Sequence, residues 1–470
     1  EEEAVEEEEV SILTVHSYGY NCHKYFNLCA CDESVVCWAA GSIITFMDVN
    51  TKQMWFRRSS TGGSVGIITS YRKDPNYRIA IAEGREGDRD PLILLYTWPQ
   101  MEIDAVLRDA IPNIYMFSPD GELLASVGKE PDYNLTIWNW KRHKILLRTS
   151  AFTFDVNSVM FSLHTLIQDC VILGAAHIKF WKMAETFTGL KLKGELGRFG
   201  KTEICDVLGV YPMPDEKVLS GCEWGNVLVW EAGLVKLEVT QKGRKGCHKA
   251  PIQFMLSPAG DEVTTISRDG CVRAWYWDTV EQADPPEDDP YVELNPVAET
   301  CVSTIPDISL CYIMCLKHQK DLFWYAQDGN GGIWVAELEI DKIECNHRKI
   351  MTCHAGGVVA MAALRTHPIL ITTGQDGTLQ AYNTQNHTLL ARYQFPNPIT
   401  CLFYPPLDMD ETSRILIVGF SDGIMRLLLL HPERLEAQTS MIDIRVHSAL
   451  TIHSEDSVNA DVMDLISVSC

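Results

Sequence analysis

The chain has 470 residues, 46% of them hydrophobic and 22% charged, so it is long enough to bury a sizeable core and has the makeup of a globular protein. Its formal net charge of −23 argues against a sequence-independent grip on nucleic acid or on an anionic bilayer and favours basic partner surfaces. No apolar run approaches the roughly 18 residues of a membrane-crossing helix, and the chain opens on a glutamate run rather than on a signal peptide.

In chain order, residues 1–10 read as a disordered acidic leader, because a run of like charges repels itself. A start on such a run, with no Met, suggests a piece of a longer protein. Residues 35–39, 43–49 and 53–57 are predicted strands of a first unit, with Phe46 at its aromatic position. A second unit is expected over 65–107. A third, over 111–148, carries Ser126 and Trp138 and a long turn at 128–133. A fourth covers 156–192. The following stretch, Gly194 to Thr202, imitates a phosphate-binding loop. That loop needs four residues between its first Gly and Gly-Lys-Thr, then a helix. Counting back from Gly200 reaches Glu195, and Ile204, Val207, Leu208 and Val210 read as a strand, so a glycine-rich connection is expected here. A fifth unit runs to 239, followed by a basic loop at 241–246. The sixth is interrupted by an acidic, Pro-rich segment at 284–290, expected to be exposed and mobile. The seventh covers 308–352, the eighth 354–395 and the ninth 398–438. Residues 448–470 resemble the approach to another first strand.

These units are repeats. Asp269-Gly270 lies between two apolar-alternating runs and is followed by Trp275, and an Asp-Gly pair in that setting is a strong hairpin signal because Gly tolerates φ > 0. Asp328-Gly329 precedes Trp334 and Asp376-Gly377 precedes Tyr382 at the same distance. Trp224-Gly225 precedes Trp230, and Asp422-Gly423 precedes Leu428. With Trp98, Trp138 and Trp181, the anchors recur at intervals of roughly 40 to 60 residues, near the period of four-stranded propeller blades.

The turn Phe117-Ser118-Pro119-Asp120-Gly121, its variant at 256–261 and the Asp-Gly hairpins resemble the WD-repeat family over nearly the whole chain. The resemblance implies an all-β, WD40-type β-propeller of about nine four-stranded blades. A single ordinary ring holds four to eight, so one closed ring of about seven plus the start of a second is expected: residues 11–353 as a first propeller and 354–470 as further blades of an incomplete second ring. In this family a His, a Ser or Thr, the turn Asp and the Trp form a hydrogen-bonded set within a blade. His248, Thr265, Asp269 and Trp275 match all four positions, and His354, Thr372, Asp376 and Tyr382 match with Tyr for Trp. Ser220 and Trp230 supply half a set. The structural reading of these residues outweighs a catalytic one, because buried polar groups need partners and these supply one another.

The sixteen cysteines form no dense framework. Cys37, Cys170 and Cys401 read as small buried hydrophobes. Cys29-x-Cys31 and Cys311-x₃-Cys315 each lack a second pair at zinc spacing, so no metal, no cofactor and a reducing compartment are expected. No nucleophile elbow, H-E-x-x-H or dinucleotide fingerprint is present, and the chain reads as a non-enzyme. Its lead-in, Leu13 to Cys22 with His16-Ser17-Tyr18-Gly19-Tyr20, followed by Asn27-Leu28 and by Val36-Cys37-Trp38-Ala39-Ala40-Gly41-Ser42-Ile43-Ile44, resembles the WD-repeat cilia- and flagella-associated proteins. That resemblance implies a scaffold in the axoneme of cilia and flagella, cytoskeletal in location, which holds inner-arm dynein heads to doublet microtubules. Its implied partners are the dynein heavy chain, a paired WD-repeat tether subunit and the microtubule, with neither nucleic acid nor membrane. The alternative is a general cytosolic WD-repeat scaffold.

Overall fold

The computed structural model describes residues 16–451 other than 25–26, 73–76, 86–91, 109–111, 119, 129–132, 154–155, 163–169, 175–176, 188, 214–215, 244, 257–261, 287–288, 302–309, 319–320, 338–346 and 434–444. The acidic leader, most of the turns at 128–133 and 256–261, and residues 452–470 lie outside that set. Among the described residues no helix is long and apolar enough to cross a membrane.

The described strands make nine sheets, each built on four antiparallel strands, with blades at residues 28–58, 62–108, 112–150, 156–196, 207–240, 252–301, 310–352, 358–394 and 399–451. The strands form where apolar residues either alternate or run continuously. In Val35–Ala40 five of six residues are buried, which marks a strand covered on both faces. Neither face of such a sheet can be left to water, so blades stack. One core joins blade one to blade two, another runs through blades two, three and four, and others join four to five and five to six.

Blade seven then returns to blade one. The innermost strands of the two, Leu310–His318 and Leu28–Ala30, lie side by side. Tyr325, Ile333 and Val335 of blade seven share a core with Leu28, Val36 and Trp38 of blade one and with Tyr20 and Cys22 of the lead-in. The Gln327 side-chain amide donates to the carbonyls of Cys22 and Lys24. The fold is therefore a closed seven-bladed WD40-type propeller followed by two further blades. Those two pack on each other through Ile369, Ile371, Leu379, Phe395, Leu416 and Phe420.

The Gly of the hairpin turn has a second task, which is to receive the chain as it crosses to the next blade. His248 N–H donates to Gly225 O at 2.8 Å, Cys353 N–H to Gly331 O at 2.7 Å and Phe395 N–H to Gly377 O at 2.9 Å. The approach is close enough that a Cβ at Gly225 would lie 2.3 Å from His248 O, and one at Gly331 2.2 Å from Cys353 O. Both glycines also have φ near +90°, at +90° and +85°.

Two expectations need correction. The ninth blade does not end near 438, because its outer strand is Arg445–Thr451, paired with Ile424–Leu429. That strand takes up residues 448–451, the start of the stretch that resembles a new first strand, and the rest of that stretch lies outside the described residues. The loop expected at 284–290 has no regular structure and is exposed or half-exposed among its described residues, and it lies within a longer segment that follows Trp275. That segment forms a short helix, Trp277–Glu281, and then the strand Tyr291–Glu293, which adds in parallel to the edge of blade five before Ala298–Cys301 returns as the outer strand of blade six. Asp284 meets Lys236 at 3.5 Å. In blade seven the residue with positive φ is Gly331 rather than Gly329, so the turn sits two residues later than the Asp-Gly pair suggests.

The closing interface should carry stability that surface apolar residues do not. Trp38→Ala empties a fully buried site and is expected to lower unfolding free energy by about 3–5 kcal/mol. Leu407→Ala, at an exposed site, should change it by less than about 0.5 kcal/mol. Urea titrations of the two variants check this.

Candidate functional site

The polar residues singled out by the repeat lie between strands, screened from water. In blade six, Trp275 Nε1 donates to Thr265 Oγ1 at 2.9 Å, and Thr265 Oγ1 lies 2.9 Å from His248 Nε2. His248 Nδ1 lies 3.4 Å from Asp269 Oδ1. One proton arrangement satisfies all three contacts: Thr265 donates to Nε2, and Nδ1–H of a neutral imidazole donates to Asp269. Asp269 also accepts the N–H groups of Lys249 and Cys271, each at 2.9 Å. Burial works to raise the Asp269 carboxyl, but the hydrogen bonds from His248 and Lys249 outweigh it and hold it at about 2. Burial lowers the pKa of His248, with Asp269 offsetting part of the effect.

Blade eight repeats the arrangement with one member displaced. His354 Nε2 lies 2.7 Å from Thr372 Oγ1, and Asp376 Oδ1 lies 3.5 Å from His354 Nδ1. Thr378 Oγ1 stands between them, 2.5 Å from Nδ1 and 2.7 Å from the carboxylate. Tyr382 is not in this chain of bonds. Its hydroxyl donates to Gln380, and its ring packs on Tyr18 with centroids 4.6 Å apart. The half-sets behave as pairs: Trp230 Nε1 donates to Ser220 Oγ at 2.7 Å and Trp138 Nε1 to Ser126 Oγ at 2.9 Å. Two arrangements escape the repeat pattern. Trp334 donates to its own turn Asp328 at 2.6 Å, and Trp98 of blade two crosses to Asp32 of blade one at 2.6 Å. The Trp98 pair had no signal in the sequence, since 66 residues separate the two.

The lead-in gathers three blades. His16 stacks on His387 of blade eight with centroids 4.2 Å apart and meets Phe56 of blade one edge-on at 5.4 Å. Tyr18 OH lies 3.0 Å from His387 Nδ1. Cys22 Sγ lies 3.5 Å from the carbonyls of Gly329 in blade seven and of Ala355 just beyond it. This segment thus wedges into the closing interface and extends to the first blade beyond the ring. Burial first, and the neighbouring His387 second, lower the pKa of His16 to about 4.

The glycine-rich stretch 194–202 crosses from blade four to blade five. Gly197 N–H donates to Ile178 O and Arg198 N–H to Gly233 O, both at 2.8 Å, and the next element is the strand Val207–Pro212 rather than a helix. Phe199 is buried edge-on against Trp230. The backbone N–H groups of Gly197, Arg198 and Thr202 are thus spent on Ile178 of blade four, Gly233 of blade five and Phe199 of the stretch itself.

Among the described residues, Cys271, Glu299 and Cys301 are grouped closely enough to hold a metal ion. The two sulfurs are joined in a disulfide, however, and Glu299 accepts from Arg273 at 2.7 Å. The expectation of reduced cysteines does not hold here, because the strand register sets Cys271 directly opposite Cys301 with Cα atoms 4.0 Å apart. Cys29, Cys31 and Cys37 are buried, and burial pushes the Cys31 thiol up, away from the thiolate a metal needs.

No protein-family model matches the chain. Among curated proteins, it is 36% identical over 418 residues to Cilia- and flagella-associated protein 44 of Mus musculus, covering 88% of this chain and 22% of that one. It is 33% identical over 437 residues to the protein of the same name from Chlamydomonas reinhardtii, covering 88% and 24%. At 22% identity over 461 residues it also matches WD repeat-containing protein 90 of Xenopus tropicalis, covering 95% and 23%. The chain therefore spans less than a quarter of the length of these relatives.

Thr265→Val is expected to cost about 2–5 kcal/mol, since it strips a partner from both the His248 ring and the Trp275 indole in a buried site. A fall in the urea midpoint with a retained β-type circular dichroism spectrum is the readout. The lead-in should also be acid-sensitive. The folded-state pKa of His16 lies below its ordinary 6.5, so the fold favours the neutral ring. That stabilisation is complete above pH 6.5 and is lost as pH falls toward 4. Proteolytic cleavage in the blade seven to eight connection, residues 353–357, should rise over that window and lose its pH dependence in His16→Phe.

Proposed function

This chain is a relative of the WD-repeat cilia- and flagella-associated proteins, and we propose that it is a non-catalytic scaffold of the axoneme in motile cilia and flagella. In this reading it tethers inner-arm dynein heads to the doublet microtubule beside a paired WD-repeat subunit, and so regulates ciliary beating. The observation that carries it is the match along 88% of the chain to relatives bearing that name in a mammal and an alga.

A scaffold role is supported by how the ionisable residues are used. His248 and His354 are buried and spend both ring nitrogens on Thr and Asp or Thr partners. A general base needs an accessible lone pair within reach of a substrate proton, and these rings offer none. Residues 11–353 are proposed as one propeller and 354–470 as part of a second. The blade hydrogen-bond sets are proposed as structural ties that keep the third strand, the turn and the lead-in of each blade in register.

The test is retention. The full-length protein, tagged in a ciliated cell, is expected to remain along the axoneme after detergent removes membrane and soluble matrix, and to crosslink there to a dynein heavy chain. A diffuse cytosolic signal, lost on extraction, would instead leave the general WD-repeat scaffold.

A further inference from the structure

Blade four ends in a hairpin longer than its neighbours. Its strands, His177–Thr186 and Gly189–Leu196, stay paired out to Thr186 opposite Gly189. Their register divides the hairpin into two faces. On one, Trp181, Met183 and Leu192 join the core shared with blade three. On the other, Phe180 packs against Trp230 of blade five with centroids 5.9 Å apart, and there the cover stops. Beyond Phe180 the same face carries Lys182 directly opposite Lys193, then Ala184 opposite Lys191. All three lysines are exposed. None has a carboxylate within 4.0 Å among the described residues. Glu195 lies one row nearer the blade, beside Gly233 of blade five. At the tip, the side chain of Phe187 is fully exposed.

This arrangement is unfavourable for an isolated fold. Like charges directly opposite destabilise a sheet, and a fully exposed Phe gains nothing from burial. It is also out of character for a chain with 63 acidic and 40 basic residues. We infer that the face of this hairpin bearing Lys182, Lys191 and Lys193, with Phe187 at its tip, is a docking surface for a glutamate-rich polypeptide segment of a partner protein. Charge complementarity selects the acidic ligand. The net charge of −23 selects a flexible segment over an extended anionic surface, because a bilayer or a duplex large enough to touch the hairpin would also face the acidic remainder. A narrow peptide meets only the lysines and the ring. This inference does not depend on the ciliary reading and would hold for a WD-repeat scaffold in any compartment.

The test uses the intact chain and a fluorescent glutamate-rich peptide, with its glutamine counterpart as control. The chain is expected to bind the glutamate peptide, with an affinity that falls as salt rises, and to ignore the glutamine one. Lys182→Glu/Lys191→Glu/Lys193→Glu should weaken binding roughly tenfold or more, and Phe187→Ser should give a smaller, salt-independent loss. Circular dichroism and thermal unfolding check that the variants fold. If the triple variant does not, photo-crosslinking of the peptide to the unaltered chain decides instead, with adducts expected within 180–196. Equal binding by the folded triple variant would overturn the inference, as would adducts elsewhere or tighter binding to phosphatidylserine vesicles or duplex DNA. So would a zero-length crosslink from these lysines to the chain's own glutamate run at 1–9, which would place the acidic segment within the protein itself.

Discussion

A stack of sheets with two apolar faces has no natural end, and this chain meets that constraint by bending the stack into a ring. Every other feature depends on the seam where Leu28, Val36 and Trp38 meet Tyr325, Ile333 and Val335. Were the seam open, both surfaces would be exposed together with the edges of the innermost strands, the kind of edge that pairs with other chains. The lead-in reinforces the seam. Gln327 reaches back to the carbonyls of Cys22 and Lys24, and Tyr20 and Cys22 enter the same core. The closing blade is thus tied to a segment more than 300 residues earlier, a contact whose loop-closure cost only a broad apolar interface offsets.

Within each blade the polar sets solve a different problem. A crossing chain brings backbone N–H groups and a His into a space between apolar sheets. The turn Gly accepts the N–H, while the turn Asp and the strand hydroxyl take the His ring. The sets vary because what must be satisfied is the polar group, not a fixed cast of residues. In blade seven Asp328 takes the Trp334 indole directly, and in blade eight Thr378 slips between His354 and Asp376. Degenerate repeats can therefore keep one architecture while their signatures drift.

Departures from regular blades mark where the chain turns outward. The segment after blade six's third strand adds a fifth, parallel strand to blade five, and the blade-four hairpin overreaches its neighbour with a lysine face. The lead-in bends away from the ring to stack on His387 and Tyr382 of blade eight. The first two lie away from the seam, whereas the lead-in also serves it, and all three change the surface that another protein would meet.

The sequence by itself determined the repeat, the strand-turn-strand units and the number of blades, because Asp-Gly turns and spaced aromatics are local signals set by φ > 0 and by period-two burial. It also marked His248, Thr265, Asp269 and Trp275, whose spacing follows from the hairpin, and the glycine-rich stretch at 194–202 as a connection rather than a phosphate loop. Only the tertiary structure decided the rest. That Trp98 reaches Asp32, that Tyr382 turns to Tyr18 and Gln380, that Cys271 faces Cys301, and that blade nine waits until Arg445–Thr451 for its outer strand all depend on register and on contacts between distant segments. Local propensity carries no information about register across an insertion, because sliding a strand changes its partners without changing its own pattern. The lead-in shows the same limit: its residues pointed to a family, but their work, joining blades one, seven and eight, exists only once the ring has closed.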